Sequence, residues 1–227
     1  MKKISIAIDG PSGAGKTTIS KRAAGEFGFT HVDTGAIYRV VGLFVFRAGV
    51  DPKDAQGVCA LLDRIKIDIE YKDCDQRMIL NGEDVTGLIR THEISMYASD
   101  VSAIPAVRDF LLNMQRDLAT RYDVIMDGRD IATVVLPNAQ VKIFLTASSE
   151  DRAQRRYLEL LGRGQQIDFQ KVLDDVVLRD KNDSEREIAP LKPAADSIIV
   201  DTTGNTLEQS LDQLLEIIRN ALKQEQN

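Results

Sequence analysis

Ile4-Ser5-Ile6-Ala7-Ile8-Asp9-Gly10-Pro11-Ser12-Gly13-Ala14-Gly15-Lys16-Thr17 sets the architecture. Residues 4–8 are an apolar run of the kind that forms a strand buried on both faces. Gly10, Pro11, Ser12, Gly13, Ala14, Gly15, Lys16 and Thr17 fit G-x-x-x-x-G-K-[ST], a loop that hangs between a buried strand and a helix N-terminus. Glycines let that backbone curl so that successive N–H groups point inward at a phosphate. The following helix adds its positive end. Lys16 is expected to reach the outer phosphates, and the Thr17 hydroxyl to sit on Mg²⁺. The motif predicts a nucleoside triphosphate site.

Four further apolar runs, at 29–32, 124–126, 141–145 and 198–200, are each followed by a helical pattern, directly or after a loop. Such alternation predicts an α/β fold, doubly wound around a five-stranded parallel sheet. The last helix is the clearest. Thr206 with Gln209 makes a capping box, and Leu207, Leu211, Leu214, Leu215, Ile218 and Leu222 form one core-packing stripe. Two stretches break the alternation. Residues 63–99 turn strand-like: Ile65, Ile67 and Ile69 alternate with polar residues, a turn covers 72–76, Met78-Ile79-Leu80 returns, and Asn81-Gly82 turns again. This predicts a small antiparallel insertion in a core of 1–62 and 100–227. Residues 149–186 form a charged helical arm broken at Gly162-Arg163-Gly164.

The 227 residues suit one domain with an elaboration, and the net charge of −6 gives no general attraction to nucleic acid or anionic membrane. Cys59 and Cys74 lack metal-ligand spacing, so reduced thiols are expected. The apolar run after Met1-Lys2-Lys3 is stopped by Asp9, too short for a secretory signal, and no stretch approaches a membrane span. A cytoplasmic protein, acting as a monomer, is expected.

An acidic protein that handles phosphates must gather its cations locally. Asp33-Thr34-Gly35-Ala36-Ile37-Tyr38-Arg39 follows the second strand, Asp127-Gly128-Arg129-Asp130 follows the third, and Arg179, Asp183 and Arg186 have the spacing of one helix face. The first two segments fall at the sheet edge where open α/β folds bind ligands. Each arginine alone reads equally as a surface ion pair, such as Arg179 with Asp183. Together they predict a second, phosphate-bearing ligand, because arginine contacts phosphate through two parallel hydrogen bonds.

With Gly10-Pro-Ser-Gly-Ala-Gly-Lys-Thr17, Asp33-Thr-Gly-Ala-Ile-Tyr-Arg39, Asp127-Gly-Arg-Asp130 and Arg179-Asp-x-x-Asp183-x-x-Arg186, the sequence resembles the bacterial-type cytidylate kinases over nearly its whole length. That resemblance implies a P-loop three-layer fold in which 63–99 is a nucleoside-monophosphate-binding insertion. It implies ATP, with Mg²⁺, at Gly10 to Thr17, Thr18 and Arg155, and CMP or dCMP as acceptor. Lys16, Arg39, Arg129 and Arg186 would act on the transferring phosphoryl group. The acceptor would meet Thr34 and the same three arginines at its phosphate, Ser99, Arg108 and Asp130 at cytosine, and Arg179 with Asp183 at ribose. Arg152, Arg155, Arg156 and Arg163 would belong to a lid, against a solvated face paired with Glu150, Asp151 and Glu159. Residues 202–205 would lie near adenine. Ala132 stands where the family pattern leads one to expect glycine, and positive φ there would strain it.

A phosphate nucleophile has its second pKa near ~6 and needs no strong base, so His31 and His92 receive no catalytic role. Asp33 and Asp127 are candidates either to orient metal-bound water or to cap the next helix or turn. The alternatives are another P-loop kinase of a small metabolite, a GTP-dependent switch, and a nucleic-acid-dependent ATPase. The switch lacks the Asn-Lys-x-Asp order, since Lys181-Asn182-Asp183 runs the wrong way; the ATPase conflicts with the acidic balance.

Overall fold

Along the chain run β1 (Ser5–Asp9), α1 (Lys16–Phe27), β2 (Thr30–Asp33), α2 (Thr34–Arg47), α3 (Ala55–Leu62), β3 (Ile67–Lys72), β4 (Asp75–Leu80), β5 (Glu83–Asp84), α4 (His92–Val101), α5 (Pro105–Arg121), β6 (Val124–Gly128), β7 (Val141–Thr146), α6 (Ser149–Gly162), α7 (Phe169–Glu185), β8 (Ile198–Asp201) and α8 (Leu207–Gln224). The computed structural model describes residues 3–72, 75–162 and 164–224. All five expected strands form one parallel sheet in the order β2-β6-β1-β7-β8. Each continues past its apolar run into polar residues. Asp9, Asp33, Asp127, Thr146 and Asp201 all remain in the ladder, because main-chain pairing does not depend on side-chain polarity.

Successive side chains of β1 leave opposite faces and enter different cores. Ile6 and Ile8 pack with Ile125, Ile143, Leu145 and the α8 residues Leu211, Leu214, Leu215 and Ile218. Ala7 packs with Val32 and Met126 under α2 and α5. The α8 capping box is present: Thr206 N–H donates to Gln209 Oε1 (2.9 Å) and Gln209 N–H to Thr206 Oγ1 (3.2 Å). Leu207, expected in the apolar stripe, is exposed, because it opens the helix ahead of the sheet it covers.

The insertion contains the expected antiparallel sheet, β3-β4-β5. Asn81 (φ 51°) and Gly82 (φ 87°) link β4 to β5 with both central residues left-handed, as a tight hairpin turn requires. Cys74, in the expected β3–β4 turn, lies outside the described residues. The strand-like reading fails after Asp84: Leu88–Arg90 form a 3₁₀ turn and α4 follows. Thr91 caps α4 by accepting Ile94 N–H (3.3 Å), and Ile94, Ala98 and Val101 form a buried helical stripe. Ile67, Met78, Leu80 and Ile94 share the apolar core of Val32, Ile37 and Val40. Helices α6 and α7 form the expected arm around Ala153, Leu160, Val172 and Val176. Arg163, expected at its tip, lies outside the described residues. Among the described residues no helix is long and apolar enough to cross a membrane.

Helices α2 and α4 approach closely at Gly42, where an added Cβ would stand 2.9 Å from the Ala98 main-chain nitrogen. Alanine is the better helix former by about 1 kcal/mol, yet here Gly42→Ala is expected to lower the unfolding free energy by about 1–3 kcal/mol through overpacking. Urea denaturation measures it; a stabilised variant would disprove the close contact.

Candidate active site

The chain leaves β1 at Asp9 and curls through Gly10 (φ 152°), Gly13 (77°) and Gly15 (84°) before α1 begins at Lys16. A Cβ at Gly10 would run into the Leu145 carbonyl oxygen, so this turn admits only glycine. Gly15, at the N-cap, has no side chain to occupy the first helical N–H groups, which stay available to an anion. The buried Lys16 ammonium donates to the Pro11 carbonyl (2.7 Å). Burial, with Arg129 nearby, holds its pKa well below the ordinary lysine value. The Thr17 hydroxyl donates to Asp127 Oδ2 (2.7 Å), and the other carboxylate oxygen shares a 2.8 Å hydrogen bond with His31 Nε2. Burial alone would raise the Asp127 pKa, but His31, Thr17 and Lys16 outweigh it and hold the carboxylate ionised.

On the far side of the loop, Thr18 and Arg155 line a groove with Gly13, Gly15 and Asn205. Arg155 is braced there by Asp151 (2.6 Å) and the Thr202 carbonyl (2.7 Å). Arg152, expected with Arg155 and Arg156 on the lid, is instead a buried strut. Its guanidinium joins the Ala147 carbonyl, the Ser12 carbonyl of the loop and Asp180 of α7 (2.9, 3.0 and 2.9 Å). Arg156 pairs with Glu159 within α6.

A second cleft opens beside the loop. Thr34, Arg39, Ser99, Arg108, Arg129, Asp130, Arg179, Asp183 and Arg186 all line it. Thus α2, α4, α5, the end of β6 and α7 meet around one space. Asp33 makes the expected cap on α2, accepting the Ala36 N–H (2.9 Å), and also accepts from Arg39 Nη2 (2.8 Å). Asp127, bonded to Thr17, is the carboxylate beside the glycine-rich loop. Arg129 Nε donates to Asp183 (2.8 Å), and Arg108 forms a buried pair with Asp130. Arg186 lies 3.7 Å from Asp130. It does not share a helix face with Arg179 and Asp183 as expected: α7 ends at Glu185, and Arg186 is extended (ψ 140°) with Nε held by the Ala189 carbonyl (2.6 Å).

These cations are incompletely matched. Arg39 Nε, Arg179 Nε and Arg186 Nη2 are buried without a hydrogen-bond partner among the described residues. Burial and the neighbouring Arg129 pull the Arg179 pKa down to about 10; burial and Arg108 lower that of Arg186. A dianion in the cleft would satisfy both the open N–H groups and the charge.

The family model for cytidylate kinase matches residues 6–220. A cytidylate kinase of Caldicellulosiruptor bescii is 51% identical over 225 residues, covering 99% of this chain and 100% of that one. One from Carboxydothermus hydrogenoformans is 47% identical, covering 94% and 96%. The chain belongs to the cytidylate kinase family. A solved structure of an uncharacterised Eubacterium ventriosum protein, 14% identical with TM-score 0.53, covers 96% of this chain and 99% of its own, and speaks to the fold alone.

Against the cytidylate kinase pattern, Ala132 proves harmless. It sits in a short π-helical turn (Ile131–Val135) and is not among the residues with positive φ, so the feared strain is absent. That turn shows what sequence reading missed. Asp9, noted only for ending an apolar run, accepts the N–H groups of Ile131 and Ala132 (both 2.8 Å) and fixes the main chain just after Asp130. A carboxylate ending a buried strand was its only signal. Ser102, whose carbonyl accepts from Arg108 (3.1 Å), gave none; Tyr38, whose ring lies 5.6 Å from the Arg108 guanidinium, stands in the motif ending at Arg39, where the sequence assigns it no role.

Burial raises the Asp9 pKa to about 6 despite those two bonds. Its folded value exceeds the unfolded one, so its contribution to stability is present below about pH 4 and is lost as pH rises through about 6. Asp9→Asn turns an NH₂ towards one of the two N–H donors and is expected to cost about 1–3 kcal/mol at pH 4, the difference shrinking as pH rises through about 6. Urea titrations of both proteins from pH 4 to 7.5 should show the wild type alone losing this increment; parallel curves would refute the assignment.

Proposed function

We propose that this protein transfers the γ-phosphoryl group of ATP to the phosphate of CMP or dCMP, giving ADP and CDP or dCDP. Membership of the cytidylate kinase family supports the reaction. The observation that carries the residue assignment is the buried Arg108–Asp130 pair in a cleft where Arg39, Arg179 and Arg186 keep unpartnered N–H groups, beside the glycine-rich loop. ATP occupies Gly10 to Thr18, with adenine towards Arg155 and Asn205. The acceptor's phosphate meets Thr34, Arg39, Arg129 and Arg186, its ribose Arg179 and Asp183, and its base Ser99, Arg108 and Asp130. Segment 63–99 serves as the monophosphate-binding unit and 149–186 as the lid.

An oxygen of the acceptor phosphate, already largely deprotonated at neutral pH, attacks the γ-phosphorus, and the bond to the bridging oxygen breaks to release ADP. Positioning therefore matters more than base catalysis. Lys16 exchanges its Pro11 contact for phosphate oxygens, and the arginines spread the charge that develops in transfer. The adjoining Thr17 hydroxyl and Asp127 carboxylate are hard oxygen donors at the start of α1, a fit for Mg²⁺. Thr17 would hold the ion, with Asp127 acting through its water, and the ion would neutralise the polyphosphate. Closure of the α6–α7 arm would exclude water, the competing acceptor.

Cytosine offers an amino donor next to ring-nitrogen and carbonyl acceptors, matching Asp130 beside Arg108. Uracil would set a carbonyl against the Asp130 carboxylate. Coupled ADP-release assays should therefore give kcat/KM for UMP at least about 10²-fold below CMP and dCMP, with AMP and GMP lower still. Equal turnover of UMP would sink the cytosine assignment. Asp130→Ala should narrow the CMP-to-UMP ratio to within about tenfold as well as slowing the reaction. Arg186→Ala should cut kcat by about 10²–10³-fold; a loss confined to KM would make Arg186 a binding group only.

A further inference from the structure

Strand β2 lies at an edge of the parallel sheet, with β6 as its sheet neighbour. The N–H and C=O of one residue in a strand point to the same side, so an edge strand leaves alternate residues with both groups unpaired. At Asp33 a side chain fills this gap. Gln76 Oε1 accepts the Asp33 N–H (2.8 Å), and Gln76 Nε2 donates to the Asp33 carbonyl (3.2 Å). One carboxamide thus substitutes for a neighbouring strand's main chain. Gln76 belongs to β4 of the small sheet, and its neighbour Asp75 pairs with Lys21 of α1.

The clamped residue is itself committed on its side-chain face. Asp33 Oδ1 caps α2 through Ala36, and Oδ2 accepts from Arg39 (2.9 and 2.8 Å). Arg39 then presents a buried, unpartnered Nε at the cleft. A continuous chain of hydrogen bonds runs from the small sheet through one residue to a guanidinium. We propose that Gln76 is a positioning residue for the acceptor phosphate: by gripping the Asp33 main chain it fixes the carboxylate that aims Arg39. The inference rests on the reading that Arg39 takes the acceptor's phosphate.

Gln76→Ala removes both bonds. Gln76→Glu keeps bulk and the acceptor for the Asp33 N–H, but turns an oxygen on the Asp33 carbonyl and adds charge near its carboxylate. Both variants are expected to raise KM for CMP by about five- to thirty-fold while KM for ATP stays within about twofold. In an Arg39→Ala background, Gln76→Ala should change KM for CMP by less than about twofold, because its effect passes through Arg39. A lowered melting temperature with an unchanged KM for CMP, equal rises for both substrates, or full additivity in the double variant would each overturn the proposal. Where the alanine variant fails to fold, the glutamate variant supplies the same comparison. Wild-type turnover of CMP separates the two levels: its absence would remove the functional reading, whereas its presence with insensitive Gln76 variants would remove this inference alone.

Discussion

Buried positive charge must be met by negative charge or lose its proton, and this protein leaves that requirement deliberately unfinished around two adjoining spaces. Three arginines of the second cleft each have a carboxylate: Arg39 with Asp33, Arg108 with Asp130, Arg129 with Asp183. Lys16, Arg179 and Arg186 are left with weaker compensation, and their proton affinities fall accordingly. Full pairing with aspartates would make a more comfortable interior but leave no affinity for an anion. The partial pairing holds each guanidinium in place while keeping N–H groups open. In a chain whose overall charge is −6, attraction for nucleotides has to come from such local imbalance.

The scaffold makes the imbalance tolerable by drawing its carboxylates from rigid positions. Asp9, Asp33 and Asp127 stand in the last turns of ladder pairing on β1, β2 and β6, three strands that are adjacent in the sheet. Each performs a main-chain or side-chain task that fixes a functional segment. Asp9 holds the turn after Asp130, Asp33 starts α2 and steers Arg39, and Asp127 links Thr17 to His31. Arg152 does the same for the phosphate loop from the opposite side, through the Ser12 carbonyl.

What could be read from sequence was what is local or periodic. The phosphate loop is contiguous, so its glycines and Lys16 identify themselves. The five apolar runs expose the parallel sheet, and the motifs bearing Arg39 and Arg129 fall at one edge of it because each follows a strand, whereas Arg179 and Arg186 come from the end of α7. Resemblance supplied the rest of the cleft, whose nine residues do line one space. Gln76 and Asp9 escaped because their partners are main-chain groups distant in sequence, and Ser102 because it meets Arg108 through its own carbonyl; a main-chain group leaves no mark on residue identity. Helix α4 was hidden because it follows directly on the strand-like stretch and its short stripe of Ile94, Ala98 and Val101 stands out only once Thr91 is recognised as a cap. Arg186 kept helical spacing beyond the point where α7 stops.

The parallel ladder also works as a ruler. Asp33 stands opposite Asp127, and Asp9 opposite Gly128, so strand alignment sets where the carboxylates sit. Thr17 and Asp127 are 110 positions apart along the chain, and Asp9 and Ile131 122 apart, so neither half of the pocket exists before the sheet closes. Substrate affinity is therefore available to the native ensemble alone. Nucleotide bound there would, by mass action, shift the balance towards the folded chain and shield it from proteolysis.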